Sequence, residues 1–321
     1  MAQDQPSDSE NLDPETYLQT LQEKNLEPLW IKFKQPTPLK PNPRAVSCIW
    51  KYSEYLPLLR KATEEAEEAD RRALLLINPN MTSYHTTDTL HGGLLIVQPG
   101  ETIPARRHLP YIIRFVIDGE GFTSVDGKKM SMRRGDVIVI PGYQWYDHGN
   151  ESDAPVIWLD ILNLELSSVV PGSYSELFRG SHYSSTRYEN SRFLFPWEPV
   201  VTFLNSQEVP HAIYHYSHGG DGKPISIDMT LQAERLDGHH RTTCTKETGS
   251  FMYHCFEGQG YTEIQTPRGK TDILYWIAGD IFAIPAGSEI RHVNTSDDCA
   301  FLVGFTDRPL LEMLERLKPL R

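Results

Sequence analysis

Residues 104–115 read PARRHLPYIIRF, a cationic, histidine-bearing cluster that runs straight into a strand of large apolar residues. Arg106 and Arg114 carry guanidinium forks, which match the oxygens of a carboxylate or phenolate. His108 carries an imidazole, which moves protons near neutral pH. Strand side chains repeat with period two, which sets His108, Ile112 and Arg114 on one face. The stretch WYDH at 145–148 adds Trp145, Tyr146 and His148. His91 opens the segment HGGLLIVQPGE and Gln98 sits on it, and Asp160 closes PVIWLD. From these, Tyr146, His108 and His148 are the candidate catalytic groups. Arg106, Arg114, Gln98, His91, Trp145 and Asp160 are the candidate substrate-binding groups.

Each has a plainer reading. Arg114 also suits a buried ion pair with Asp160, because a buried guanidinium is costly unless paired. Arg106 also suits a turn arginine leaning to solvent, His108 a core histidine on a backbone partner, and Tyr146 ordinary packing. His148 has an equivalent, His292, later in the chain, which points to a shared structural role in a turn.

The elements that must hold these residues are short β-type runs with Gly or Pro punctuation, beginning near Leu90: GGLLIVQPGE, YIIRFVIDGEG, GDVIVIPG and PVIWLDIL. This is an all-β texture. It fades between about Ser167 and Asp221 and resumes through ISIDMTLQAERL, FMYHCFEGQGYTEI, GDIFAIPAG and AFLVGF. The chain repeats itself. IDGEG at 117–121 matches FEGQG at 256–260, GDVIVIP at 135–141 matches GDIFAIP at 279–285, and HGN at 148–150 matches HVN at 292–294. Two copies of one β unit predict two similar barrels or sandwiches in tandem. The expected spans are a tail and helical arm at 1–80, a first barrel with the active pocket at 81–166, a linker at 167–222, a second barrel at 223–308 and a C-terminal helix at 309–321. Within the arm, Asp13-Pro14-Glu15 caps a short helix through about Gln22, and Tyr55 to Ala73 reads as a longer one.

Composition narrows the function classes. Among 321 residues, 43 acidic against 31 basic side chains leave a net charge of −12, which argues against a nucleic-acid partner. The N-terminus is polar and acidic, unlike a signal peptide, and no run approaches the ~18 apolar residues of a membrane span. The expectation is a cytoplasmic protein. Cys48, Cys244, Cys255 and Cys299 form no CxxC pair, so reduced thiols are expected.

The G-x-G turn, the G-D-x-x-x-x-P run with its alternating apolar residues, and the His-bearing turn ending in Asn are those of cupins. The chain resembles the bicupins of the gentisate 1,2-dioxygenase family, with its salicylate and hydroxynaphthoate ring-cleaving relatives. LEPLW (26–30), TLHGGLLIVQPGE (89–101), RHLPYIIRFVIDGEG (107–121), GDVIVIPGYQWYDHGNE (135–151), PVIWLD (155–160) and FLFPW (193–197) carry the resemblance. It implies two jelly-roll barrels and assembly as a homo-oligomer. It also implies one Fe(II) in the first barrel, held by two histidines of an H-R-H element and the first histidine of W-H-D-H.

Here those motifs read Arg106-Arg107-His108 and Trp145-Tyr146-Asp147-His148, leaving His108 alone of the three. Arginine stays protonated and cannot ligate. The second-barrel equivalents, Thr245, Glu247 and Ile290, make no metal face. The expectation is therefore a metal-independent enzyme without cofactor, of isomerase, lyase or cyclase type. Its substrate would be an aromatic or polyketide-like acid or phenol, with Arg106 and Arg114 on its anionic oxygens. Two alternatives stand beside it: an Fe(II) ring-cleaving dioxygenase with the non-standard ligands His108, Tyr146 and His148, and a catalytically inactive binding or scaffold bicupin.

Overall fold

The computed structural model describes residues 13–32, 41–66, 72–82, 84–180, 183–218, 222–246 and 248–314. The chain divides into two units, 1–40 and 41–321. In the first, the helix Pro14–Glu23 starts where the sequence places it. The Asp13 carboxylate accepts from the N–H groups of Glu15 (3.0 Å) and Thr16 (3.2 Å), satisfying donors the first turn leaves open. A single turn, Leu29–Lys32, follows. The expected tail at 1–12, residues 315–321 of the C-terminal helix and Glu247 lie outside the described residues. The part of that helix described is Arg308–Met313.

The second unit is built from two double-sheet barrels. In barrel 1, one sheet runs Leu194–Phe195, Val137–Ile140, Ile112–Asp118, Val156–Leu162, His91–Val97, Ala73–Leu75. The facing sheet runs Ser175–Leu177, Thr102–His108, Tyr146–Gly149, Glu120–Val125, Lys128–Arg133, Thr186–Arg187. Barrel 2 repeats the plan with Cys48–Trp50, Ile281–Ile284, Phe251–Glu257, Ala300–Thr306, Thr230–Leu236 and His211–His215. They face Thr245–Lys246, Glu289–Asn294, Gln259–Gln265 and Thr271–Ile277. Strands buried on both faces, such as His91–Val97, read as continuous apolar runs because each side meets a core. Phe115 of barrel 1 meets Phe256 and Phe305 of barrel 2 at ring centroids 5.7 and 6.4 Å, so one apolar core joins the barrels.

Each barrel is closed by a strand that precedes the other. Cys48–Trp50 pairs with Ile281–Ala283 of barrel 2, and Leu194–Phe195 pairs with Val137–Ile138 of barrel 1. The repeated Gly-Asp explains the docking. Asp280 accepts from Tyr52 N–H (2.8 Å) and Asp136 from Trp197 N–H (3.0 Å), so each carboxylate receives a helix start. Gly279 and Gly135 have φ of 93° and 91°, and a side-chain carbon on either would lie within 2.7 Å of Tyr52 or Trp197. Only glycine meets both demands.

Three expectations change. The helix expected over Tyr55–Ala73 is Tyr52–Glu65, and Ala73 instead pairs with Leu95 at the edge of barrel 1. Barrel 1 thus begins before residue 81, and barrel 2 takes in His211–His215 before residue 223. The expected linker at 167–222 contributes strands to both barrels and the helix Trp197–Ser206. Its strands are two to five residues long, too short to show a period. Among the described residues no helix is long and apolar enough to cross a membrane.

Candidate active site

Strand register brings the barrel 1 candidates together. Arg114 lies opposite Asp160, and Asp160 opposite Gly93, two residues into the strand that His91 opens. On the facing sheet, Arg106 lies opposite Tyr146 and Thr123 opposite His148. Tyr146 and His148 are two apart and share the inner face of their strand.

Arg114 is 1% exposed and fully engaged. Its Nε and Nη2 donate to Asp160 at 2.8 Å each, Nη1 donates to Thr123 Oγ1 at 2.9 Å, and its guanidinium lies 4.1 Å from the Trp158 ring centroid. The plainer reading made from the sequence, an ion pair with Asp160, is what forms. The bidentate geometry and ring contact offset a desolvation cost of several kcal/mol per ion. Arg114 and Asp160 therefore build the wall of the site.

His108 is held in one tautomer. Its Nδ1–H donates to the Pro110 carbonyl at 3.1 Å, so Nε2 keeps its lone pair and accepts from Tyr146 O–H at 2.8 Å. Burial, with the nearby Arg106 charge, holds the imidazole below its usual range and therefore neutral. Burial pushes the Tyr146 phenol up to about 12, against the pull of Arg106 and Arg114. His148 is fully enclosed beside Tyr146 and edge-on to Trp158 (5.1 Å). Neither of its ring nitrogens has a hydrogen-bond partner. Burial, then Arg114 and Arg106, keep it well below the usual histidine range. His91 donates from Nδ1 to the Tyr84 carbonyl, leaving the Nε2 lone pair free, and burial lowers its pKa.

Two candidates lie elsewhere. Gln98 follows the far end of the His91–Val97 strand, about 23 Å from His91 at ~3.3 Å per residue. Its backbone N–H is held by Glu101 in the turn there. Trp145 alternates away from Tyr146 and packs outside with Phe178, Tyr183 and the Arg107 guanidinium. Arg107 in turn pairs with Glu176. Thr123 belongs to the site and was not anticipated. Its signal was in the repeat, where it matches Thr262 of barrel 2.

The three-histidine set that the resemblance implies is absent, because Arg106 and Tyr146 stand at two of its positions. The donors present are His108 Nε2, Tyr146 Oη and His148. A buried imidazole without partners is an orphan that calls for one. A ligating histidine characteristically donates its second nitrogen to a carbonyl, as His108 does. Two imidazoles and a phenol oxygen are the donor types of a two-histidine, one-oxyanion face, which suits non-haem iron once the phenol proton is lost. Arg106 opposes the cation and favours an anionic substrate.

The model of the Cupin domain family matches residues 93–162. The gentisate 1,2 dioxygenase 1 of Aquipseudomonas alcaligenes is 29% identical over 321 residues, covering 90% of each chain. The crystal structure of a salicylate 1,2-dioxygenase from Pseudaminobacter salicylatoxidans superposes with a TM-score of 0.85 at 25% identity, covering 98% of both chains. A structure of that enzyme's adducts with gentisate superposes at 0.84 and 26% identity, covering 98% of this chain and 94% of that one. These matches overturn the expectation of a metal-independent, non-oxidative isomerase, lyase or cyclase without cofactor. Relatives along nine-tenths of the chain are 1,2-dioxygenases, and that chemistry draws on Fe(II).

Proposed function

Because this chain belongs to the gentisate 1,2-dioxygenase-like bicupin family, we propose that barrel 1 is a ring-cleaving dioxygenase site for an aromatic hydroxy acid, with iron held by His108, Tyr146 and His148. The observation that carries it is the orphaned His148, buried beside a His108–Tyr146 pair whose lone pair is already oriented. When bound, the metal supplies coordination sites for substrate oxygens and dioxygen, and the electrons that activate the latter.

The chain's own residues do the rest. Arg106 lies against Tyr146 and His108, where its guanidinium pairs with the substrate carboxylate. Arg114 does not reach for substrate. Tied to Asp160 and Thr123, it fixes the wall and lends positive potential to Tyr146 and His148, which favours anionic oxygens. The neutral His91 presents Nε2 as acceptor for a substrate hydroxyl proton. Trp158 and Tyr146 exclude water from the floor. A homo-oligomer is part of the same reading. It is supported by Leu29 and Trp30, 66% and 64% exposed on the N-terminal segment, a patch that monomers seldom leave open.

The test is oxygen uptake by iron-loaded protein with salicylate, gentisate and 1-hydroxy-2-naphthoate. The reading expects uptake matched mole for mole by loss of ring absorbance with at least one of them. Ring loss without oxygen uptake, or no turnover of any hydroxyaromatic acid, contradicts it.

A further inference from the structure

Barrel 2 has no part in that chemistry, yet at the place equivalent to the barrel 1 site it keeps a cavity of about 260 Å³. The repeat sets the equivalence, since Tyr253 stands where barrel 1 has Arg114 and His292 where it has His148. The floor is buried and polar. Glu234, 1% exposed, accepts from His211 Nε2–H (2.7 Å), Gln232 Nε2–H (2.8 Å) and Tyr253 O–H (3.0 Å). A carboxylate offers about four acceptor positions, so one remains beside these three.

His292 is 3% exposed and lines the same cavity. Thr262 Oγ1 accepts from Trp276 Nε1–H at 2.9 Å and lies 2.8 Å from His292 Nδ1. Among the described residues the Thr262 hydroxyl has no acceptor other than Nδ1, so it donates to that nitrogen, which leaves His292 Nε2 as the N–H. That nitrogen is buried and has no hydrogen-bond partner. A carboxylate with an open position and an unpaired donor thus face one cavity. Its walls include the stacked rings of Phe251 and Tyr253 (5.4 Å, 14°) with Ile213 and Ile290. The mouth is exposed, at His215, Thr243 and Thr245.

We propose that barrel 2 binds a small neutral phenol. Its hydroxyl donates to Glu234 and accepts from His292 Nε2–H, and its ring lies against Phe251 and Tyr253. A phenol satisfies both buried groups with one oxygen. Arg308 also lines the cavity, its guanidinium 5.8 Å from the Phe251 ring centroid. An anion seated between Glu234 and His292 would nevertheless meet the Glu234 charge directly, and a plain hydrocarbon would leave the imidazole unpaired. The site is therefore separate in chemistry from barrel 1, where two arginines favour anions, and it stands independently of the reading of that barrel.

The experiment titrates 4-fluorophenol into the full chain and follows its ¹⁹F resonance. Saturable binding is expected below about 10 mM. Thr245→Trp, which fills the exposed mouth, should abolish it. His292→Phe should weaken it about tenfold, the effect of one lost hydrogen bond to a buried donor. Arg106→Ala in barrel 1 should leave it unchanged. Wild-type-like binding by Thr245→Trp, loss of binding by Arg106→Ala, or no saturable binding by the wild type overturns the proposal. Far-ultraviolet circular dichroism confirms that each variant is folded before it counts.

Discussion

Thr123 and Thr262 hold the same place in the two barrels, each opposite a buried histidine, and they are spent on different partners. Thr262 accepts from Trp276 and serves His292. Thr123 is claimed by Arg114, and His148 is left with no partner for either nitrogen. The cause is one exchange between strands. Barrel 1 places Arg114 against Asp160, whereas barrel 2 places Tyr253 against Gly304, where a side-chain carbon would lie 2.5 Å from the Tyr253 ring. In the proposed reading, Arg106 beside the Arg114–Asp160 pair favours an anion in barrel 1, and the claim of Arg114 on Thr123 leaves the His148 imidazole without a partner. A phenol over glycine leaves barrel 2 a cavity whose floor is a carboxylate with one acceptor position open, with Arg308 in its lining. The same backbone carries both, so function follows these side chains and not the fold alone.

The largest expected effect separates the barrels at their equivalent strand positions. Arg114→Leu leaves the Asp160 carboxylate without its partner and should cost about 3–5 kcal/mol. Tyr253→Phe removes one neutral donor from Glu234 and should cost about 1–2 kcal/mol. Urea unfolding compares the two, and equal losses would break the distinction. The double change Arg114→Leu with Asp160→Leu should recover much of the first loss, because no lone charge remains.

Acid should act next, and in both barrels, since burial also holds His148, His108 and His91 of barrel 1 below their usual range. Burial holds His292 down to about 4 and His254 down to about 3, from 6.5. Their folded values are lowered, so the unfolded chain takes protons first as pH falls. Stability is therefore full above about 6.5 and falls below it, by about 1.4 kcal/mol per pH unit for each group in its window. Burial alone would raise Glu234, but the His211 and Gln232 hydrogen bonds and histidine charges bring it down to about 2. Its contribution is present above about 4.5 and disappears on the way to 2. Melting temperature across this range reads the slope, and a flat profile from pH 7 to pH 4 would contradict it.

The smallest contrast is in the threonines themselves. Thr262→Val strands both the Trp276 N–H and the His292 ring, whereas Thr123→Val strands only one nitrogen of Arg114. The first should cost about 2 kcal/mol and the second about 1. The reverse order would mean that the wiring drawn for His148 is wrong.

Much of this was legible in the sequence. The repeated Gly-Asp and His-x-Asn runs set two barrels, but strand period did not relate His108 to Arg114. The strand breaks at 109–111, and His108 ends a strand of one sheet while Arg114 lies on a strand of the facing sheet. The Arg114–Asp160 pair was named there as the competing reading. Trp145 was misplaced because a residue just before a strand has no alternation of its own to read. Gln98 was misplaced because sequence proximity to His91 says nothing about which end of a strand meets the site. Glu234 stood out in no motif. It matches Leu95 in the repeat and acquires meaning only when folding brings His211, Gln232 and Tyr253 around it. The chemistry was misjudged for a related reason. Loss of histidines at motif positions was weighed as loss of a metal, and the alternative with His108, Tyr146 and His148 as ligands was set second, because the sequence does not show that His148 is buried without a partner.

The most direct test of the account is iron content after anaerobic loading and desalting. It predicts close to one iron per wild-type chain, with the iron lost in His108→Ala and in His148→Ala and unaffected by Thr245→Trp in barrel 2. Background iron in the folded wild type, or full iron retained by His148→Ala, would contradict it.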